Sequence, residues 1–134
     1  MSDLAKPEIK QIGCARPELA PYGAAALQAL KKAGLFAAVE PKLVYAQSIS
    51  AAKQFADSGN TAGSFTALSL VYNHPEHYIA IDPSLYDPLD QALCIVKQTA
   101  QPALARQFRD FVLSGQAQKI LSAYGYNPHP PTAH

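Results

Sequence analysis

The chain has 134 residues, the size of one ordinary domain, and 49% of them are apolar, which is enough for a real core. Eleven basic residues stand against ten acidic ones for a net charge of +1, so no basic stripe recruits nucleic acid and no acidic tail is present. The longest apolar run is too short to span a bilayer, and Met1 to Lys10 carries no hydrophobic signal core. As written, the chain is therefore not expected to be exported, and a cytoplasmic location follows if Met1 is the natural start.

In chain order, residues 9–15 (IKQIGCA) read as a strand. A loop with two prolines follows, and from Pro21 the pattern turns helical, with Pro21 suited to a first turn and Gly34 to a stop. Leu35 to Val39 continues as a short helical turn ended by Pro41. Residues 42–46 predict a second strand. Ser48 or Ser50 can cap the next helix, whose Ile49, Ala52, Phe55 and Ala56 share a face. Residues 62–67 predict a third strand, 68–72 a helical turn, and 77–81 a fourth strand. Asp82 to Asp90 reads as a connector. Residues 91–97 predict a further strand, and helices follow over 102–113 and 115–124. The first of these is expected to bury Leu104, Phe108, Phe111 and Val112. The Pro-rich tail is expected to be disordered.

Strands alternating with helices at short spacing argue for βαβ units and a mainly parallel sheet with helices on both faces. The expected organisation is an α/β lobe over 1–97, a C-terminal helical segment over 98–126 and a disordered tail over 127–134.

Candidate chemistry is sparse. Cys14 and Cys94 each sit in an apolar strand-like run without a C-x-x-C, so both read as buried free thiols. His74 and His77 flank Pro75, which would keep one helix face from presenting both, so they read as surface-loop histidines and no metal site is assigned. His129 and His134 lie in the tail. No Ser-His-Asp or Cys-His arrangement can be assembled, and the chain is not read as an enzyme or as requiring a cofactor.

Several segments in order carry a resemblance: Ala15-Arg16-Pro17-Glu18-Leu19-Ala20-Pro21-Tyr22-Gly23, Lys32-Ala33-Gly34-Leu35, Pro41-Lys42-Leu43-Val44, Ser48-Ile49-Ser50-Ala51-Ala52, Ser58-Gly59-Asn60, Ala67-Leu68-Ser69, Arg109-Asp110-Phe111 and Tyr124-Gly125-Tyr126. Over roughly residues 3–126 the chain resembles the periplasmic molybdate-binding proteins of ABC transporters. The resemblance implies a class II periplasmic binding protein, built from two α/β lobes that hold an anion in their cleft. This chain corresponds to the second lobe, a single three-layer α/β lobe, plus the C-terminal segment. On this resemblance, the residues given are expected to leave out the family's first lobe and the strand that completes the second lobe's sheet.

The ligand implied is molybdate or tungstate, and the family partner is an ABC transporter permease. Tetrahedral oxyanions are well held by backbone N–H groups at helix N-termini, where the helix dipole adds attraction. The second-lobe donors of the family carry over onto the main-chain amides of Tyr22 and Ile49. Some members add a tyrosine hydroxyl from the third strand; the matching position here is Ala67. Ser64 stands where the family usually has glycine and is expected to crowd the strand. Without the first lobe's hydroxyl-bearing ligands, affinity for the oxyanion is expected to be weak.

Two further expectations concern the surfaces such a chain leaves bare. Strand 91–97 is expected to pair antiparallel with 77–81, filling the gap in the sheet and covering an edge. Helices 102–113 and 115–124 carry Leu104, Phe108, Phe111, Val112, Ile120 and Leu121. This apolar set predicts a homo-oligomer, through helix packing or through a domain swap at Asp82–Asp90. The rival reading is a structural or interaction domain that self-associates and binds no anion.

Overall fold

The computed structural model describes residues 1–127, so the expectation for the tail lies outside the described residues from 128 onward. The chain divides into two compact units, Met1–Leu89 and Asp90 onward.

The first unit is an α/β lobe. Its sheet has three parallel strands, β1 (Ile12–Ala15), β2 (Leu43–Ala46) and β3 (Gly63–Ser64), in the order β2-β1-β3. All four residues of β1 are buried, as a central parallel strand flanked on both sides requires. Its register runs from Ile12 opposite Leu43 to Ala15 opposite Ala46 on one side, and sets Gly13 opposite Ser64 on the other. Helices α1 (Pro21–Lys32) and α2 (Phe36–Val39) lead from β1 to β2, and α3 (Ile49–Asp57) leads from β2 to β3.

Alternation along β1 sends side chains to opposite faces. Ile12 and Cys14 join Ala26 and Leu30 of α1, Val39 of α2 and Phe65 in one buried cluster. The intervening Gly13 faces α3, where an added Cβ would stand 2.8 Å from the carbonyl oxygen of Ala52 and 2.9 Å from Cβ of Ser64. The missing side chain therefore lets α3 lie directly on the sheet and leaves room for Ser64. The crowding expected of Ser64 is accommodated by its neighbour on β1. Helices thus cover both faces, as the sequence implied.

Helix α1 starts with Pro21 at its first position, where no intrahelical N–H bond is lost. It buries Ala25, Ala26, Ala29 and Leu30 and ends on Gly34 at φ +70°. There the N–H of Leu35 returns to the carbonyl of Leu30 at 2.9 Å, satisfying an orphan end group. Complete burial of Leu30 alone is worth about 1.5–3 kcal/mol. The N-terminal residues add a 3-10 turn, Ser2–Ala5, that the sequence reading missed. Lys42 ties it down by donating to the carbonyls of Leu4 (3.0 Å) and Lys6 (2.8 Å), while Met1, Leu4 and Ile9 pack on the core.

Beyond β3 the expectations need correction. Residues 77–81 and 91–97 form no strand, so the antiparallel pairing of these segments does not form. Tyr78 is extended (φ −139°, ψ 159°), but a strand exists through its ladder, and an apolar run cannot supply its own partner. Three 3-10 turns occupy this stretch instead, Leu68–Leu70, Pro75–His77 and Pro83–Leu85. Asp82–Asp90 is also more than a connector. The Gln28 amide of α1 donates to the Asp87 carboxylate (2.6 Å) and accepts from the Asp87 N–H (2.9 Å), with Lys32 at 3.6 Å.

The second unit contains α4 (Pro102–Leu113) and α5 (Gly115–Ala123), which pack on each other. Ser114 separates them and caps α5 by accepting from the N–H of Ala117 at 3.3 Å. The side chain of Gln118 donates to the carbonyl of Val112 at 2.9 Å. Both helices fall where the sequence predicts, but the burial expected of α4 does not hold. Leu104, Phe108 and Phe111 are exposed, and Ala117 is the buried residue of the pair. Cys94, expected to be buried, is exposed because its segment is not a core strand, whereas Cys14 is buried as expected.

Candidate functional site

Parallel strands deliver their following helices to the same edge of a sheet. Because β1 and β2 are adjacent and in register at Ala15 and Ala46, α1 and α3 both begin beyond that edge. The ladder continues one step further, with the N–H of Arg16 donating to the carbonyl of Ala46 at 2.9 Å. Five residues, Arg16–Ala20, then lead into α1, and Gln47-Ser48 leads into α3.

Tyr22 is the second residue of α1 and Ile49 the first of α3, and both are half-buried. Each amide lies in the first turn of its helix, where N–H groups point along the axis toward the helix start. The side chain of Ser48 accepts from the N–H of Ala51 at 3.1 Å, fixing the start of α3 one residue before Ile49. Of the two caps the sequence allowed, Ser48 is the one used. At α1 the cap residue is Ala20, whose carbonyl accepts from the N–H of Gly23 (2.9 Å) and of Ala24 (3.2 Å).

Gly23 is a residue the sequence reading passed over. A Cβ there would overlap the carbonyl oxygen of Ala15, so only glycine lets the first turn of α1 sit against the end of β1. A glycine early in an otherwise Ala-rich helix was the available signal. The third strand contributes less. Ala67 follows β3, is buried, and offers no side-chain donor. The Oγ1 atoms of Thr61 and Thr66 are buried without a hydrogen-bond partner among the described residues.

The electrostatics of this lobe are mild. Burial pushes the Cys14 thiol up to about 11, so it is a neutral core group rather than a nucleophile. Tyr45 on β2 is raised as well, first by burial and then by the nearby Cys14, Glu40 and Glu18. Main-chain donors at two helix starts are suited to holding an anion.

The histidines lie away from this edge in sequence, and His74 and His77 are exposed, as surface-loop histidines are. His74 and His77 come together, their rings stacked at 5.7 Å between centroids and 16° between planes. His129 and His134 lie outside the described residues.

Residues 1–127 match the family described as bacterial extracellular solute-binding protein, and the chain belongs to that family. It is a family of solute binders rather than enzymes, in keeping with the sequence reading. Within it, the chain is similar to molybdate-binding proteins. It is 37% identical over 122 residues to the molybdate-binding protein ModA of Rhodobacter capsulatus, covering 90% of this chain and 48% of that one. It is 36% identical over 127 residues to ModA of Azotobacter vinelandii, covering 92% and 50%. The solved structure of the Azotobacter vinelandii periplasmic molybdate-binding protein superposes with a TM-score of 0.84 at 30% identity, covering 95% of this chain and 58% of that one. The chain thus spans about half the length of the relatives it matches. Among the described residues no helix is long and apolar enough to cross a membrane.

Proposed function

We propose that this lobe binds a tetrahedral oxyanion of the molybdate or tungstate type through the main-chain amides of Tyr22 and Ile49. The observation that carries the reading is the start of two helices, α1 and α3, at one edge of adjacent parallel strands, in a chain similar to molybdate-binding proteins. Such donors hold an anion without a paired cation, which suits a chain of net charge +1. With no donor side chain at Ala67, and with about half the relatives' length represented, the lobe alone binds weakly. In a whole protein the same surface would form one wall of a cleft whose contents pass to an ABC transporter permease.

Calorimetric titration with molybdate tests this. The isolated chain is expected to bind in the micromolar range or weaker, and Ile49→Ala to stay within a few-fold because the amide remains. Ile49→Pro is accepted at a first helical position but removes the donor. Losing a hydrogen bond to a charged group costs about 1.5–3 kcal/mol, roughly tenfold or more in affinity. Equal affinity in the Ile49→Pro and Ile49→Ala variants would overturn the assignment.

A second reading, self-association, is favoured by the exposed Leu104, Phe108 and Phe111 of α4 and Ile120 of α5. On that reading, light scattering coupled to gel filtration would give a mass above the monomer's 14.3 kDa at micromolar concentration, and Phe108→Ala would lower it. A clean monomer would remove it.

A further inference from the structure

We propose that His74, Glu76 and His77 form a binding site for a divalent transition-metal cation of the Zn2+ class, independent of the anion-binding edge. The three residues sit on one 3-10 turn, Pro75–His77, with His74 as its N-cap. The hydrogen bond that closes the turn joins His74 to His77, and their rings lie nearly parallel with centroids 5.7 Å apart. Pro75, which in an α-helix would separate them, begins this turn instead. Two consecutive hydrogen bonds fix the backbone: the N–H of His74 donates to the carbonyl of Val71, and that of His77 to the carbonyl of His74, both at 2.9 Å.

The ligand atoms are already nearly in position. Oε1 of Glu76 lies 3.4 Å from Nδ1 of His74 and 3.7 Å from Nε2 of His77. Two ligands at tetrahedral zinc distances of about 2.1 Å stand about 3.4 Å apart, so both carboxylate–imidazole separations are close to what the ion needs. One ligand atom from each of the three residues can be chosen so that all lie within 4.8 Å of one another. The remaining closure is a small rotation of exposed side chains. Two imidazoles and one carboxylate are a donor set suited to Zn2+, Ni2+ or Cu2+ and ill suited to Mg2+ or Ca2+.

A surface ion pair is the competing explanation for the Glu76 contacts, and exposed pairs of that kind hold their side chains only weakly. It gives no reason for the two imidazole rings to lie nearly parallel, 5.7 Å apart, beside a single carboxylate. Exposure of all three residues leaves the other coordination positions to water, so the site is open on one side.

The test is a Zn2+ titration of the full chain, followed by calorimetry and by the ring-proton NMR signals of His74 and His77. Other donors are removed first with Cys94→Ser, His129→Ala and His134→Ala. One equivalent of Zn2+ is expected to bind and to shift both ring signals, with Mg2+ inert. Affinity is expected to fall about tenfold or more in His74→Ala, His77→Ala and Glu76→Gln alike. Affinity unchanged by the His74 and His77 substitutions, or binding that shifts neither ring, would overturn the proposal.

Discussion

The two units answer the same demand, covering apolar side chains, in different ways. In Met1–Leu89, each parallel strand feeds a helix that returns over the sheet, and Ile12, Cys14, Leu30 and Val39 are buried almost completely. From Asp90 onward, two consecutive amphipathic helices have, within their unit, only each other, and Phe108 remains 63% exposed. The contrast separates two things that a periodic apolar pattern mixes together. A pattern states which face requires cover, while the topology decides whether the chain itself supplies it.

The sharpest way to break that contrast is to truncate one side chain in each unit. Leu30→Ala, at a fully buried position, is expected to cost about 2–5 kcal/mol of stability in urea denaturation. Phe108→Ala is expected to stay within about 0.5 kcal/mol, as surface substitutions do. Comparable losses at both would mean that α4 is covered in solution by a second copy, which light scattering would then register.

A finer comparison lies inside the lobe. Gly13→Ala forces a Cβ against the backbone of Ala52 and is expected to destabilise by about 1–3 kcal/mol. Gly63→Ala, with nothing within 4 Å of the new atom, is expected to be tolerated within about 0.5 kcal/mol. Equal costs would show that α3 does not lie as closely on β1 as the geometry states.

The two cysteines give the smallest effect and the simplest readout. A thiol reagent at neutral pH is expected to modify Cys94 and spare Cys14 until the chain unfolds. Burial raises Cys14 from 9.0 to about 11, so the folded state favours the protonated thiol. Its contribution to stability is fully present below the unfolded value and is lost as pH rises toward about 11. Rapid modification of both thiols in the folded chain would contradict the burial of β1.

The lobe was legible because its signals were local and agreed with one another. Apolar β1, Pro21 at a helix start, Gly34 at a helix stop and Ser48 before an amphipathic run each name an element and its boundary. What followed β3 was not legible in the same way. Runs 77–81 and 91–97 have strand-like composition, but whether a run becomes a strand depends on a free neighbour in the sheet. Of the proposed site, the helix starts that carry Tyr22 and Ile49 were legible as positions. The glycines that let their helices approach the sheet, Gly13 and Gly23, were visible in the sequence but not weighed as contacts. For His74 and His77, the spacing was read against an α-helix when Pro75 starts a 3-10 turn.

The central claim is that the starts of α1 and α3 together hold an oxyanion through main-chain N–H groups. An amide NMR titration with molybdate measures those groups directly. The account predicts a saturable response whose largest shifts fall on Tyr22 and Ile49, with their immediate neighbours in the first turns following, and a weaker response in Ile49→Pro. Shifts concentrated elsewhere, or no saturable shift at either helix start at millimolar molybdate, would contradict it.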